Sequence, residues 1–256
     1  MIISNPQIRG ILAAVLLLFL LPDSETAAIP FPEVVHIVKG AVVKVSSKRE
    51  NRFGSGFFVD STGHFVTCAH VLKNDTAKSY ENEFLIEYYS DVYDKSGNKE
   101  TRLSTMSASV DTIVEEFDFA ILSANLREAA LLKVSYLPIG NSDRAEEGEE
   151  IATCGFIPDR FAVPRPIVVK GIVSVIRENE YDPKLRNEVD ILQLDQQTAG
   201  GLSGAPVFSV ARGVIGYMDA SILPDLRTKQ SGFSYALAIN QVKSILRMYN
   251  IYEPLK

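Results

Sequence analysis

The sequence is poor in the residue patterns from which zinc sites and nucleic-acid surfaces are built. It has two cysteines and three histidines among 256 residues. They are scattered, without a CxxC pair or a Cys/His cluster at zinc-binding spacing, so no zinc site is expected. The formal net charge is −6, which gives no basic surface for nucleic acid. Low-complexity tracts and fixed-period repeats are also missing, and 46% hydrophobic residues indicate a globular protein with a sizeable core.

The first 28 residues differ from the rest of the chain. Arg9 is the one charged side chain in the first ten residues, Ile11 to Leu21 is an unbroken apolar run, and small residues end the segment at Ala28. This order is typical of a secretory signal peptide. As a helix the apolar run rises about 16 Å, about half of a roughly 30 Å hydrocarbon layer. We predict a signal peptide at residues 1–28, with an uncleaved membrane anchor as the alternative, and a mature domain at residues 29–256.

A mature domain of this kind would be exported, to a periplasmic, secreted or other extracytoplasmic location. Export permits a disulfide between Cys68 and Cys154, because the compartments outside the cytosol are oxidising. Sequence alone does not give the distance between the two residues, so one bridge and two buried thiols both remain open. Neither cysteine lies in a turn that would present it as a nucleophile.

Short apolar or alternating segments follow one another from Val34 onward, separated by Gly, Asn, Asp and Pro. Many short strands with frequent turns indicate an all-β sandwich or barrel. The stretch from Lys73 to Glu116 is the most polar and is expected to form surface loops around one or two strands. One helix is predicted, at about residues 240–250, with Asn240 as its N-cap. A soft boundary at residues 123–138 divides the strands into two groups.

Three segments contain candidate catalytic residues. His70 follows the apolar strand 65–68, where an imidazole is rigidly held, open to substrate and able to accept a proton near neutral pH. Asp118 stands at the start of the apolar strand 119–122. Burying a carboxylate there costs free energy unless a partner such as a histidine pairs with it. Taken singly, both are weak signals, because His70 also fits a structural histidine and Asp118 a turn or cap residue.

The third segment reads Gly-Gly-Leu-Ser-Gly-Ala-Pro at residues 200–206 and precedes a strand. Ser203 thus lies in a turn between glycines, whose freedom allows the backbone N–H groups of Gly201 and Ser203 to converge as an oxyanion hole. The alternative is a simple glycine-rich hairpin. The elbow Gly-x-Ser-x-Gly of α/β-hydrolases is not matched. In chain order the candidates are His, Asp and Ser, the order of chymotrypsin-like proteases.

The segments together resemble the chymotrypsin-like (trypsin-like) serine proteases, and most of all their HtrA/Deg branch. Residues 54–71 resemble its G-S-G-x-x-x-D…T-x-x-H-V segment, and 118–122 its D-x-A-x-L. Residues 193–206 resemble its Q-T-D-x-x-x-x-x-G-N-S-G-G-P, and 232–239 its G-x-x-F-A-I-P strand. The resemblance covers about residues 34–247. It implies two six-stranded antiparallel β-barrels, at about 34–125 and 136–240, with the active site between them and the short C-terminal helix after them.

The resemblance implies a serine endopeptidase that needs no metal or cofactor and acts on extended or unfolded polypeptide, as processing and quality-control proteases do. His70, Asp118 and Ser203 would be the triad, and Gly201 and Ser203 the oxyanion donors. The strand at residues 214–221 would pair with the substrate. Substrate would therefore be bound by the residues at the end of this strand together with position 197: Gln197, Met218, Asp219, Ala220 and Ser221.

The departures from the family pattern bear on function. Leu202 stands where Asn or Asp is usual, so no zymogen switch is expected and the oxyanion hole depends on other contacts for its order. Ala205 replaces a glycine, and Gln197 in place of Asp does not support cleavage after Arg or Lys. No PDZ domain is expected after the protease domain, so PDZ-driven trimers are not assumed, although an oligomer remains possible. Two alternatives stay open: an inactive pseudo-protease acting as a binding or chaperone-like module, and a β-rich binding protein with an accidental triad.

Overall fold

The computed structural model describes residues 30–74, 76–93, 99–129, 133–158, 165–197, 199–219 and 232–251. The predicted signal peptide lies outside these residues. Across the described ranges, every helix is too short or too polar to cross a membrane.

The first half of the chain forms a closed antiparallel barrel, barrel one. Its strands follow the order β1-β2-β3-β8-β7-β6 around the barrel, and a separate two-stranded ribbon, β4–β5, lies beside it. The elements are α1 (Phe31–Lys39), β1 (Val42–Ser47), β2 (Phe53–Phe58), β3 (His64–Cys68), α2 (Ala69–Leu72), β4 (Lys73–Asn74), β5 (Ser79–Tyr80), β6 (Glu83–Tyr93), β7 (Lys99–Val114) and β8 (Phe119–Ala124).

The second half forms barrel two, closed in the order β10-β11-β14-β13-β12-β9. Its elements are β9 (Glu150–Gly155), β10 (Ile167–Asp182), β11 (Asn187–Leu194), β12 (Pro206–Ser209), β13 (Gly213–Met218) and β14 (Ser234–Ala238), followed by a 3-10 turn (Ile239–Val242) and α3 (Lys243–Met248). The predicted all-β architecture is therefore confirmed: two six-stranded antiparallel barrels with a short C-terminal helix.

The polar stretch between Lys73 and Glu116 is more regular than predicted. Instead of loops around short strands, most of it is the long hairpin β6–β7, whose described register runs from Glu83↔Ser109 to Tyr93↔Lys99. In β6 the side chains of Phe84, Ile86 and Tyr88 are buried while residues between them are more exposed. This alternation buries one face of the hairpin against the barrel, so a strand can carry many charged residues on its other face.

A second helix, α1, was not predicted. Pro30 precedes it, and the side chains of Val34 and Val38, one turn apart, are fully buried. The helix packs against β9 of barrel two. Nine residues give a weak periodic signal, and a helix this short depends on such packing for most of its stability.

The two barrels share one apolar core. A single buried cluster contains residues of both barrels, and a second cluster lies within barrel two. Across the junction, the rings of Phe119 and Tyr217 lie 5.5 Å apart. The Tyr217 hydroxyl donates a hydrogen bond to the carbonyl oxygen of Phe117 at 2.6 Å. The junction that would carry the active site is thus fixed by packing and by a buried hydrogen bond.

Candidate active site

His70 lies in the one-turn helix α2, directly after β3, and its side chain is 37% exposed. Its backbone N–H donates to Asp118 Oδ1 at 2.7 Å, and its ring Nδ1 lies 2.5 Å from Asp118 Oδ2. The backbone N–H of Ala69 also donates to the carbonyl oxygen of Asp118 at 3.0 Å. These contacts orient the ring, because with Nδ1 held by the carboxylate the tautomer that leaves Nε2 as a proton acceptor is favoured.

Asp118 ends the 3-10 turn Glu115–Phe117 and has left-handed backbone angles, φ 43° and ψ 46°. A non-glycine residue rarely adopts this conformation, which turns the chain sharply into β8. The residue is 5% exposed, and each carboxylate oxygen has a hydrogen bond from His70. Those bonds offset the cost of burying a carboxylate.

The electrostatics of the pair follow from burial and charge. Burial by itself lowers the pKa of His70, but the hydrogen bond and negative charge of Asp118 and the charge of Asp219 outweigh it. The net effect raises the pKa of His70 above its ordinary value of 6.5. The site therefore favours the protonated ring more than water does.

Ser203 lies in a tight turn whose shape requires glycine. Gly201 and Gly204 have φ of +91° and +83°. A Cβ atom at Gly201 would lie 2.5 Å from the carbonyl oxygen of Phe156, and one at Gly204 would lie 2.2 Å from that of Ser55. Gly204 N–H donates to the carbonyl oxygen of Met218 at 2.8 Å. The turn therefore combines positive φ with close backbone approach, and both exclude larger residues.

Two backbone donors of this turn remain open. The N–H groups of Gly201 and Ser203 donate to no acceptor in the described part of the chain. Neighbouring amides are engaged, since Leu202 N–H donates to Ala199 and Ala205 N–H to Leu202. The open pair consists of the two donors that the sequence predicts for an oxyanion hole.

Ser55, on β2 of barrel one, holds this turn, although its local sequence does not mark it as a functional residue. Its hydroxyl donates to the Gly201 carbonyl oxygen at 2.7 Å and accepts from Phe156 N–H at 2.8 Å. Its backbone N–H donates to the Ser203 carbonyl oxygen at 2.9 Å. The one available signal was its position in the Gly-Ser-Gly segment at 54–56, which does not indicate a contact across the chain.

His70 and Ser203 line one cleft between the barrels. Its volume is about 340 Å³, and its other walls come from Arg52, Phe53, Val71, Lys73 and Gly201. Within the described residues, no hydrogen bond joins the Ser203 hydroxyl to the His70 ring. In unliganded enzymes this contact is often long and tightens only when substrate binds.

The predicted substrate-binding residues differ in their exposure, and two of them lie outside the described residues. Gln197 is exposed, whereas the neighbouring Gln196 is buried and donates to Thr153 Oγ1 at 2.7 Å. Met218 and Asp219 are buried, and Ala220 and Ser221 lie outside the described residues. β13 is paired with both β12 and β14. The role of these residues remains a prediction.

Cys68 and Cys154 are both free and buried, which decides between the two alternatives in favour of two thiols. Burial raises the pKa of Cys154 to about 12. The donor atoms of Cys68, His70, Asp118 and Asp219 lie within 4.8 Å of one another. A metal ion there would have to separate the hydrogen-bonded His70–Asp118 pair, so we describe the group as a cluster of buried polar side chains.

Two closed six-stranded antiparallel barrels define a trypsin-like fold, and the paired His and Asp and the serine turn lie at their junction. The comparison with known families agrees, because the family model described as "Trypsin-like peptidase domain" matches residues 54–216. The chain belongs to this family.

Its relatives include HtrA-type proteases. It is 26% identical over 223 residues to "Serine protease HTRA1B" of Danio rerio, covering 84% of this chain and 40% of the relative. It is also 26% identical over 199 residues to "Probable periplasmic serine endoprotease DegP-like" of Bartonella henselae, covering 76% and 33%. The chain thus spans two fifths or less of these relatives.

Solved structures show the same fold. "Crystal structure of Deg5" matches with a TM-score of 0.61 and 17% identity, covering 87% of this chain and 95% of that one. "HtrA-type protease AlgW with tripeptide" matches with a TM-score of 0.62 and 20% identity, covering 86% and 63%. At these identities the likeness concerns the fold alone. The sequence-based resemblance to the HtrA/Deg proteases is confirmed by these matches together with the family and its relatives.

Proposed function

We propose that the protein is an HtrA-like serine endopeptidase that hydrolyses peptide bonds through an acyl-enzyme. One observation carries the proposal: the His70–Asp118 pair opens on the same cleft as Ser203, beside the two open amides of Gly201 and Ser203. A nucleophile, an oriented base and two oxyanion donors are the groups that acyl transfer requires.

In the proposed mechanism, Ser203 Oγ attacks the scissile carbonyl carbon while His70 Nε2 accepts its proton. The amides of Gly201 and Ser203 stabilise the oxyanion, and losing one such donor typically lowers the rate about 10²–10³-fold. The imidazolium then protonates the leaving amine, and water activated by the same ring releases the acyl group. Asp118 holds the ring and stabilises its charge throughout.

The substrate is an extended or unfolded polypeptide whose backbone pairs with the segment that follows β13. No metal or cofactor takes part in this scheme. We also propose export, supported by the N-terminal sequence and by the relative named as a probable periplasmic endoprotease.

The test is intact mass after incubation with a fluorophosphonate, with Ser203→Ala as control. A single adduct on the wild type alone, together with cleavage of a reduced and alkylated protein, is the expected result. His70→Ala is expected to form the adduct far more slowly, because the base is removed.

A second candidate is a pseudo-protease that binds polypeptide without cleaving it. It is favoured by Leu202 and Ala205 in the serine turn and by the lack of a Ser203–His70 hydrogen bond among the described residues. A folded protein that forms no adduct, yet binds unfolded polypeptide equally well as wild type and as Ser203→Ala, would establish this candidate and overturn the first.

A further inference from the structure

Asp219 is a second carboxylate buried beside the triad. It follows β13 directly, is 1% exposed, and its backbone N–H donates to the carbonyl oxygen of Tyr235 at 3.1 Å. Its carboxylate belongs to the cluster with Cys68, His70 and Asp118, whose donor atoms lie within 4.8 Å of one another. Barrel two thus supplies an acidic group to a pair that belongs to barrel one.

Two buried carboxylates at this separation repel each other unless positive charge lies near them. The other titratable groups in and beside the cluster, Cys68 and Tyr217, carry no positive charge. Burial, together with the charges of Asp118 and Asp219, raises the pKa of the Cys68 thiol and of the Tyr217 phenol. Both groups are therefore neutral at physiological pH.

The remaining charged and titratable groups lie further out. Burial, together with the charges of nearby Glu115 and Asp118, raises the pKa of Tyr80 to about 12. Arg52 is the cation that acts on His70, but it pairs with Glu50 at 3.1 Å and lies 3.8 Å from Glu81. The positive charge best placed to balance both carboxylates is therefore the imidazolium that the reaction itself creates.

We propose that Asp219 is a positioning residue of the triad, a buried carboxylate of barrel two that stabilises the imidazolium form of His70. The inference rests on the proposed function and adds a fourth member to its machinery. Asp118 holds the ring by hydrogen bonds, and Asp219 acts on it through charge from the opposite barrel. The raised pKa of His70 agrees with this role, because the charge of Asp219 is one of the causes that raise it.

The first test titrates the histidines by NMR in wild type and Asp219→Asn. In the variant the pKa of His70 is expected to fall by about two units, the effect of a unit charge about 5 Å away at an effective dielectric of about 20. Asp195→Asn, which neutralises an exposed carboxylate of the same barrel, is the matched control and is expected to leave the pKa of His70 unchanged.

A second readout is the pH dependence of kcat/KM. Loss of Asp219 is expected to move the acid limb to lower pH and to lower the plateau about tenfold. A merely structural role would lower activity without moving the limb. If Asp219→Asn does not fold, Asp219→Ser removes the same charge with a smaller side chain.

The two readouts separate the two proposals. If wild type cleaves nothing, the proposed function fails, and the NMR titration still decides the role of Asp219. If His70 of a folded variant titrates at its wild-type pH, the inference is overturned whether or not the protein is an active protease.

Discussion

Removing the hydroxyl of Ser55 should disable the serine turn without touching a triad residue. In Ser55→Ala the Gly201 carbonyl oxygen loses a 2.7 Å hydrogen bond, and Phe156 N–H loses a 2.8 Å bond. Ser55 is fully buried. Water therefore cannot readily replace the hydroxyl, and each buried group left unpaired costs about 1–3 kcal/mol. We expect the free energy of unfolding to fall by about 2–4 kcal/mol.

Part of this loss should appear as a loss of reactivity. The Gly201 carbonyl belongs to the residue whose N–H is the proposed oxyanion donor, so a turn free to rotate misdirects that donor. If 1.4–2.7 kcal/mol of the lost interaction is needed in the transition state, acylation slows by about 10–100-fold. The rate of fluorophosphonate labelling measures this step directly, and urea unfolding measures stability.

Ser209→Ala is the matched control. Ser209 is also fully buried in barrel two, donates to Glu149 and accepts from Ala211 N–H at 3.2 Å. It should lose a similar amount of stability while labelling at the wild-type rate. If both variants are destabilised equally and both label like wild type, Ser55 is only structural and our account of the turn is wrong.

Further outcomes are expected from the same structure. Gly204→Ala should abolish labelling and strongly lower the free energy of unfolding. Gly148 is also at positive φ but has no atom within 4 Å of its Cβ position, so Gly148→Ala should lower that free energy by only about 1 kcal/mol. Equal losses of stability in the two variants would contradict the close backbone contact at Gly204. Cys68 and Cys154 should resist iodoacetamide in the folded protein and react in urea, as mass spectrometry would report, and modification of the folded protein would contradict their burial. Because a raised His70 pKa keeps the ring protonated to higher pH, kcat/KM should fall with acidity through a midpoint above 6.5, and Asp118→Asn should lower that midpoint.

The candidate residues can be selected from the sequence because each has a local signature. A histidine at a strand exit, an aspartate entering an apolar strand and a serine between glycines can each be recognised within a few residues. Their order and the strand-rich pattern then indicate two barrels. Apolar alternation, as in the buried face of β6, fixes which face of each strand points to the core, and the closure of the sheets into barrels is an implication of the family resemblance.

The contacts that support the triad have no such signature. Ser55 and Gly201 are 146 residues apart in sequence, and a serine between two glycines does not by itself indicate a contact with so distant a residue. Asp219 is predicted to bind substrate as part of the strand predicted at residues 214–221, which remains a prediction, and its burial beside His70 depends on how the two barrels meet. The short helix α1 is not predicted for a related reason. Its stability comes mainly from packing against β9, because nine residues have too little intrinsic helix propensity to form a stable helix alone.

Leu202 shows how the serine turn keeps its shape with an unusual residue. Where the family pattern has Asn or Asp, the Leu202 side chain is 2% exposed and packs in the apolar cluster of barrel two. Barrel two therefore holds the turn from one side through apolar contact, while Ser55 of barrel one holds it from the other through hydrogen bonds. Because the two kinds of contact come from different barrels, the geometry of the oxyanion donors depends on the junction between them. Any change that shifts the barrels relative to each other should alter these donors before it alters either barrel.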